Sequence, residues 1–453
     1  MDYIANFRAG RTGHIKDKVM PTRIQELAAG KPVAIFGTGV SGVAAKKLLD
    51  SLGIESVFYA ETGTKKTGEI DGALLKPFDE ENAKRHSLVV YSPAFRPDHK
   101  WIKTANASGA KAICEPDLSA LAWSGKIFAV TGTNGKTTLT SFITHALVEG
   151  GFDAVSAGNI GQSLSSFCPQ FGNDKNKIAV CELSSFQTAN LSYLRPDALL
   201  WTNFAPDHLD WHIDMEEYFV SKFNLVDATI GGQIVVGSSV EDACTQYEKA
   251  LPKSAIVLDE DNPVDAPSPF DSKIQARNFE MAVEFGKLAG IKRELFENAA
   301  KTFSLPAHRF SKPVEINGVK FYNDSKATNA HAAIAAIEEL KNENDLIWIG
   351  GGKDKYCDLE SLVETVSENA RCAVLIGQTA QKLKSMLESK SYKGAAFVCN
   401  SMSEAVKKAY ELSKKNSAVL FSPAFSSFGM FSGYAERGKS FENEVLCLKN
   451  LKI

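Results

Sequence analysis

"AVTGTNGKTTLTSF", residues 129–142, joins an apolar run to a helix-forming one through a turn of glycines, threonines and a single lysine. The residues before it, "KIFAVTG", have the apolar, β-branched character of a buried strand. Backbone N–H groups at the start of a helix are unsatisfied and carry partial positive charge, so such a turn gathers phosphate oxygens. Gly132 and Gly135 allow the tight path, and Thr133, Asn134 and Thr138 complete the loop. Lys136 supplies the cation for phosphate, and Thr137 a hydroxyl that can face Mg²⁺. One position departs from the general G-x-x-x-x-G-K-[ST] pattern: Val130 stands where the first glycine would be.

Upstream, "PVAIFGTGVSG" is a second strand and glycine turn, leading into the helical "VAAKKLLDSLG". A further strand, "SVFYAE", ends at Glu61, about twenty residues past the glycines, where dinucleotide folds place an acidic residue on a ribose. Taken alone, this turn fits a nicotinamide-dependent oxidoreductase as well as any other phosphate binder. Two phosphate-binding turns in one chain predict two phosphorylated ligands brought to a common site. Apolar runs ending in polar loops continue through "HSLVVYSPAF", "KIAVCELSS", "DALLWTNFAPDH", "VKFYNDSKATN", "DLIWIGGG", "CAVLIG" and "SAVLFSPAF". Alternating with helical stretches, they predict parallel α/β sheets with ligands at the carboxyl ends of the strands.

The 453 residues exceed one ordinary core and suggest about three domains. The expected fold is α/β: a Rossmann-like domain over 1–122, a P-loop ATPase-like domain with a mainly parallel sheet over 123–306, and a Rossmann-like domain over 307–453. The Pro-rich "DNPVDAPSPFD" reads as an exposed loop, and "FSLPAHRF" as the linker into the last domain. A net charge of −3 argues against a nucleic-acid partner. No run approaches the ~20 apolar residues of a membrane span, and the charged N-terminus does not read as a signal peptide. Eight scattered cysteines without a C-x-x-C pair fit reduced thiols. The expectation is a cytoplasmic protein, taken as a monomer.

An ordered set of motifs runs along nearly the whole chain: "GTGVSG", "TGTNGKTT", "GNIG", "ELSSFQ", "DHLDWH", "HRF", "NDSKATN", "GGGKDK" and "SPAFSSFGMF". In kind and order they resemble the Mur ligases, which use ATP to join a carboxylate to an amine. "HRF" with "NDSKATN" resembles the members that add D-glutamate, whereas relatives adding diamino acids or dipeptides carry a "DYAHNPD"-like stretch there. The resemblance implies ATP, Mg²⁺, UDP-N-acetylmuramoyl-L-alanine and D-glutamate as ligands, and an acyl phosphate formed on the alanine carboxyl. The glycine turn at 37–42 would then hold the UDP of the substrate, and the turn at 132–137 would hold ATP.

The same resemblance distributes roles. Glu182, at the end of "IAVCE", would share Mg²⁺ with Thr137, and with His208 of "DHLDWH" would hold a second Mg²⁺ near the substrate carboxylate. His212, close by, has no such match and reads as structural. Lys222, in the helical "MEEYFVSKFNLV", would carry a CO₂-derived carbamate and become an anion beside the metal. Gly39, Val40 and Ser41 would meet the pyrophosphate and Glu61 the uridine, while Asn159, Ser184 and Gln187 are candidates for the muramoyl end. Asn278, Arg309 and Asp324 would contact ATP, although Arg277 and Met281 depart from the family's adenine element. Lys326, Thr328, Lys355, Ser427, Phe428 and Tyr434 would contact D-glutamate. A nucleotide-driven switch without ligase chemistry, or a relative with a different amine or acceptor such as a folate-type ligase, fits parts of the same pattern.

Overall fold

Short β-branched and apolar runs, buried on both faces, set the architecture. The computed structural model describes residues 22–61, 78–260, 265–310, 312–343, 345–354, 358–390 and 392–450. Its three sheets are α/β in character. The first is wholly parallel, ordered β2-β1-β3-β4, from β1 (Val33–Phe36), β2 (Ser56–Tyr59), β3 (Leu88–Tyr91) and β4 (Lys111–Cys114). The second is also parallel, ordered β10-β9-β8-β5-β7-β6. It comprises β5 (Lys126–Thr131), β6 (Ala154–Gly158), β7 (Ile178–Glu182), β8 (Ala198–Trp201), β9 (Ile234–Gly237) and β10 (Ile256–Leu258).

The third sheet, ordered β11-β12-β16-β13-β14-β15, uses β11 (Val314–Ile316), β12 (Val319–Asn323), β13 (Leu346–Gly350), β14 (Cys372–Ile376), β15 (Ala395–Cys399) and β16 (Ala418–Phe421). Its one antiparallel pair is β11 with β12, a tight hairpin at the edge. The strands expected from sequence are present. Others were not singled out, such as the three-residue β11, which Glu315 interrupts and which is too short to stand out, and the partly exposed edge strand β15.

The chain divides into two compact units: Met1–Phe204, Phe219–Asn262 and Asn278–Thr302 in the first, and Ala205–Tyr218, Pro263–Arg277 and Phe303–Ile453 in the second. The first unit holds the first two sheets, and one continuous core carries Ile24, Leu48 and Leu118 together with Leu164, Leu199 and Phe223. Within it, fully buried Asp117 accepts backbone N–H bonds from Ser192, Tyr193 and Leu194 at 2.9, 2.7 and 2.8 Å. Charge-assisted bonds of this kind contribute ~1.5–3 kcal/mol each before the cost of burying the carboxylate. In the second unit, two apolar layers centred on Trp348 and Leu375, and on Phe321 and Val406, cover the two faces of the third sheet. Among the described residues the cysteines are free, and all but Cys447 are buried. No helix among them is long and apolar enough to cross a membrane.

Candidate active site

β5 lies between β7 and β8, where the second sheet reverses its winding direction. This is the position at which open α/β sheets leave a crevice beyond their strand ends. The chain leaves β5 through Gly132 (φ 139°) and Gly135 (φ 82°), and the helix Lys136–Glu149 begins at once. Both glycines are required. A Cβ on Gly132 would lie 1.9 Å from the Thr202 hydroxyl, and one on Gly135 would lie 2.7 Å from Asn278 Oδ1. Asn278 therefore sits against the turn of the loop. The helix starts without a side-chain N-cap, at the kind of terminus that attracts anions.

Lys136 Nζ folds back to donate to the carbonyls of Gly132 (2.7 Å) and Thr133 (2.8 Å). Lys222, expected as a helix residue, is 1% exposed, and its ammonium donates to the same Gly132 oxygen at 2.9 Å. Two lysine heads thus share one carbonyl at the mouth of the loop.

Glu182 closes β7, paired in register with Val130 of β5 and Gly158 of β6. Its Oε1 accepts a 2.9 Å bond from Asn159 Nδ2, and its buried Oε2 has no hydrogen-bond partner. A buried, unpartnered carboxylate oxygen costs free energy unless a cation meets it. A carboxylate oxygen is the kind of hard donor that suits Mg²⁺. Ser184 and Gln187 are turned toward each other: the Gln187 side chain accepts from the Ser184 N–H (3.0 Å) and hydroxyl (3.1 Å), closing a helix cap. On the first sheet, Gly39 precedes the helix Val40–Ser51 without a side-chain cap; Val40 and Glu61 are exposed, and Ser41 is half-buried.

The remaining expected residues belong to the second unit. His208 adopts φ 59°, its backbone N–H held by its own neighbour Asp207 at 2.8 Å. Buried Asp207 also accepts from Asn329 Nδ2 at 3.0 Å, so "DHLDWH" is tied to "NDSKATN". His212 is buried, as expected of a structural histidine. Asp324 accepts from the Phe310 amide (3.1 Å) and the Ser422 hydroxyl (2.8 Å), joining "HRF" and "SPAF" to the end of β12. Burial pushes its carboxyl up to about 7, against those bonds and the charges of Arg309 and Arg437. Lys326 Nζ stands 4.0 Å from the centre of the Tyr434 ring, Ser427 is buried, and Phe428 is exposed. Thr328 is half-buried, and Lys355 lies outside the described residues.

Sequence reasoning passed over Arg437. It is 1% exposed, and its guanidinium donates to Ser325 O and Phe425 O, both at 2.8 Å, and to Ser325 Oγ at 3.1 Å. It thus pins together the two loops expected to contact the amino acid. Its helix, Tyr434–Cys447, is polar enough to hide one inward-facing cation. Thr202 and Asn203, at the end of β8, were also missed, although they occupy a strand end like Glu182.

The Asp324 carboxyl gives a pH signature. An unfolded aspartate titrates near ~3.9, so between there and about 7 the folded chain holds more protons than the unfolded one. Stability therefore falls as pH rises through that window and is level above it. Asp324→Asn should flatten the slope in denaturant unfolding followed from about pH 4 to about pH 8; parallel wild-type and variant curves would refute the assignment.

The model of the Mur ligase middle domain matches residues 130–337, and that of the Mur ligase, glutamate ligase domain matches residues 308–425. The chain is 34% identical to the "UDP-N-acetylmuramoylalanine--D-glutamate ligase" of Caldanaerobacter subterraneus, over 92% of this chain and 99% of that one. It is likewise 34% identical to the protein of the same description in Aquifex aeolicus, over 91% and 97%. Among solved structures, the UDP-N-acetylmuramate-alanine ligase of Thermotoga maritima shares the fold at a TM-score of 0.55 and 16% identity, covering 92% of this chain and all of that one. The MurF ligase of that organism, solved with ADP, gives 0.57 at 15% identity over 83% and 98%. The chain belongs to the Mur ligase family.

Proposed function

We propose that this protein adds D-glutamate to UDP-N-acetylmuramoyl-L-alanine, forming ADP and phosphate, in cytoplasmic synthesis of peptidoglycan precursors. The observation that carries the reading is the juxtaposition at the end of the second sheet: a glycine-shaped phosphate loop beside a buried carboxylate oxygen with no partner of its own. Relatives described as D-glutamate ligases over almost their entire length support the choice of amine and acceptor.

In the reaction, a carboxylate oxygen of the alanine attacks the γ-phosphorus of ATP, and ADP leaves. The amine nitrogen of D-glutamate then attacks the acyl carbon, losing a proton, and the C–O bond to phosphate breaks. A carboxylate needs this step because its own oxygen is a poor leaving group. Thr137 and Glu182 would hold Mg²⁺, whose charge offsets that of the phosphate oxygens. The loop built from Gly132, Thr133, Asn134, Gly135, Lys136 and Thr138 would receive the phosphates at its helix end, and Asn278 borders the loop. Lys222, as a carbamate, would add an anion at the loop mouth. Asn159, Ser184 and Gln187 would lie toward the muramoyl end.

On the resemblance alone, His208 serves the second Mg²⁺, and Arg309 and Asp324 serve ATP. Lys326, Thr328, Lys355, Ser427, Phe428 and Tyr434 serve D-glutamate on the same basis. Gly39, Val40, Ser41 and Glu61 receive the UDP at an uncapped helix N-terminus. The domain limits proposed are 1–122, 123–306 and 307–453, with the protein acting as a monomer.

The decisive assay is phosphate release from ATP with UDP-N-acetylmuramoyl-L-alanine and a panel of free amino acids. Release only with D-glutamate is expected. Release indifferent to the amino acid would favour a nucleotide switch, and release with a different amine would reassign the substrate.

A further inference from the structure

We infer that Thr202 and Asn203 form a clamp that sets the shape of the phosphate loop, and that they are positioning residues for ATP. This rests on the ATP-site reading above. β8 runs beside β5, and Thr202 N–H donates to Thr131 O at 2.9 Å, so the ladder continues one step past the strand ends. Beyond that step Asn203 takes hold of the loop itself. Its carbonyl accepts from the Thr133 N–H at 3.1 Å, and its Oδ1 accepts from the Asn134 N–H at 2.9 Å. Its Nδ2 reaches back to the Asn134 carbonyl at 3.4 Å, which also accepts the Thr202 hydroxyl at 2.5 Å.

Both backbone groups of Asn134 are thereby answered by one side-chain amide. Only a side chain carrying a donor and an acceptor can do this: a carboxylate lacks the donor, and an aliphatic group lacks both. The consequence for the loop is a division of labour. The amides of Thr133 and Asn134 are turned inward to the clamp. Just beyond them the helix starts, and its first bond is that of Leu139 N–H to Gly135 O. The clamp therefore decides which N–H groups the nucleotide meets. The close fit of Gly132 to the Thr202 hydroxyl holds the opposite end of the same turn.

The test is binding of a fluorescent ADP analogue, together with full steady-state kinetics, for wild type, Asn203→Ala, Thr202→Val and Thr202→Ser. Removal of these half-buried hydrogen bonds should raise the KM for ATP and the Kd of the analogue ~10–30-fold in Asn203→Ala and ~5-fold in Thr202→Val. The KM values for the muramoyl substrate and D-glutamate should stay within about two-fold, since the clamp touches neither. Thr202→Ser, which keeps the hydroxyl, should bind like wild type. Hydrogen exchange at the Asn134 amide should quicken in Asn203→Ala while the β5 amides stay protected.

A wild-type chain that fails to bind the analogue overturns both the clamp and the ATP-site reading. A wild type that binds, with variants indistinguishable from it, overturns the clamp alone. So does a uniform rise in all three KM values with a lowered Tm, which would mark the residues as general supports of the fold.

Discussion

Lys222→Ala should lower kcat by ~10³-fold or more, the scale of losing a preorganised charge at a reacting centre, and added bicarbonate should not restore it. The side chain is buried at the mouth of the phosphate loop, donating to the Gly132 carbonyl, which Lys136 also binds. Two ammonium groups crowded onto a single oxygen repel each other, and little water screens them. Once the ammonium has given up one proton, addition of CO₂ to the Lys222 nitrogen would form an N–C bond and release a second proton, replacing a cation with an anion. That change would remove the repulsion and put hard oxygens at the mouth of the loop. Lys222→Arg separates the alternatives, because a guanidinium stays protonated and cannot take this route. If the cation alone matters, the arginine variant keeps most of its activity; with the carbamate it is as impaired as alanine. Labelled bicarbonate should give a carbamate ¹³C signal in wild type that is absent from Lys222→Ala. An active Lys222→Arg enzyme without that signal would remove the modification from the mechanism.

Local signals carried much of this into view. The loop at 131–138 was readable because its chemistry is consecutive: strand, glycines, lysine, hydroxyl and helix all lie within one stretch. Glu182 was readable because a carboxylate at the end of an apolar run must emerge at a strand terminus. That Lys222 is buried was hidden, since nothing in "EEYFVSKFNLV" shows which helix face meets the loop 90 residues earlier. Arg437 escaped for the same reason: its partners lie 112 and 12 residues away, and only the fold brings them together. The short segment around His208 groups with the second unit, although by sequence it follows directly on a strand of the first. Covalent order gave no hint of that.

Ser184 and Gln187 teach the opposite lesson. They sit in a family motif, yet each answers the other in a capping box. Binding of the muramoyl end by these two, as proposed, would have to act through the cap or after its opening.

Glu182→Gln isolates the metal argument from the packing argument. The glutamine has nearly the same volume, and its Oε1 can still accept the Asn159 bond. What changes is the second atom, where a buried carboxylate oxygen with no partner becomes an uncharged NH₂ that cannot ligate a hard cation. The fold should therefore be spared, because a group already unpartnered is exchanged without breaking a bond. Turnover should fall ~10²–10³-fold, and the Mg²⁺ concentration for half-maximal activity should rise at least ~10-fold. A second readout needs no turnover. Mg²⁺ with a non-hydrolysable ATP analogue should raise the wild-type Tm, because a ligand that binds only the folded state stabilises it by mass action. In Glu182→Gln most of that rise should disappear, while the Tm without ligand stays close to wild type. Glu182→Asp keeps the charge on a shorter arm and should fall between the two in metal requirement. If Glu182→Gln showed a wild-type Mg²⁺ dependence and an undiminished Tm rise, the unpartnered oxygen would not be the metal's ligand. The phosphate loop would then have to recruit its cation from elsewhere.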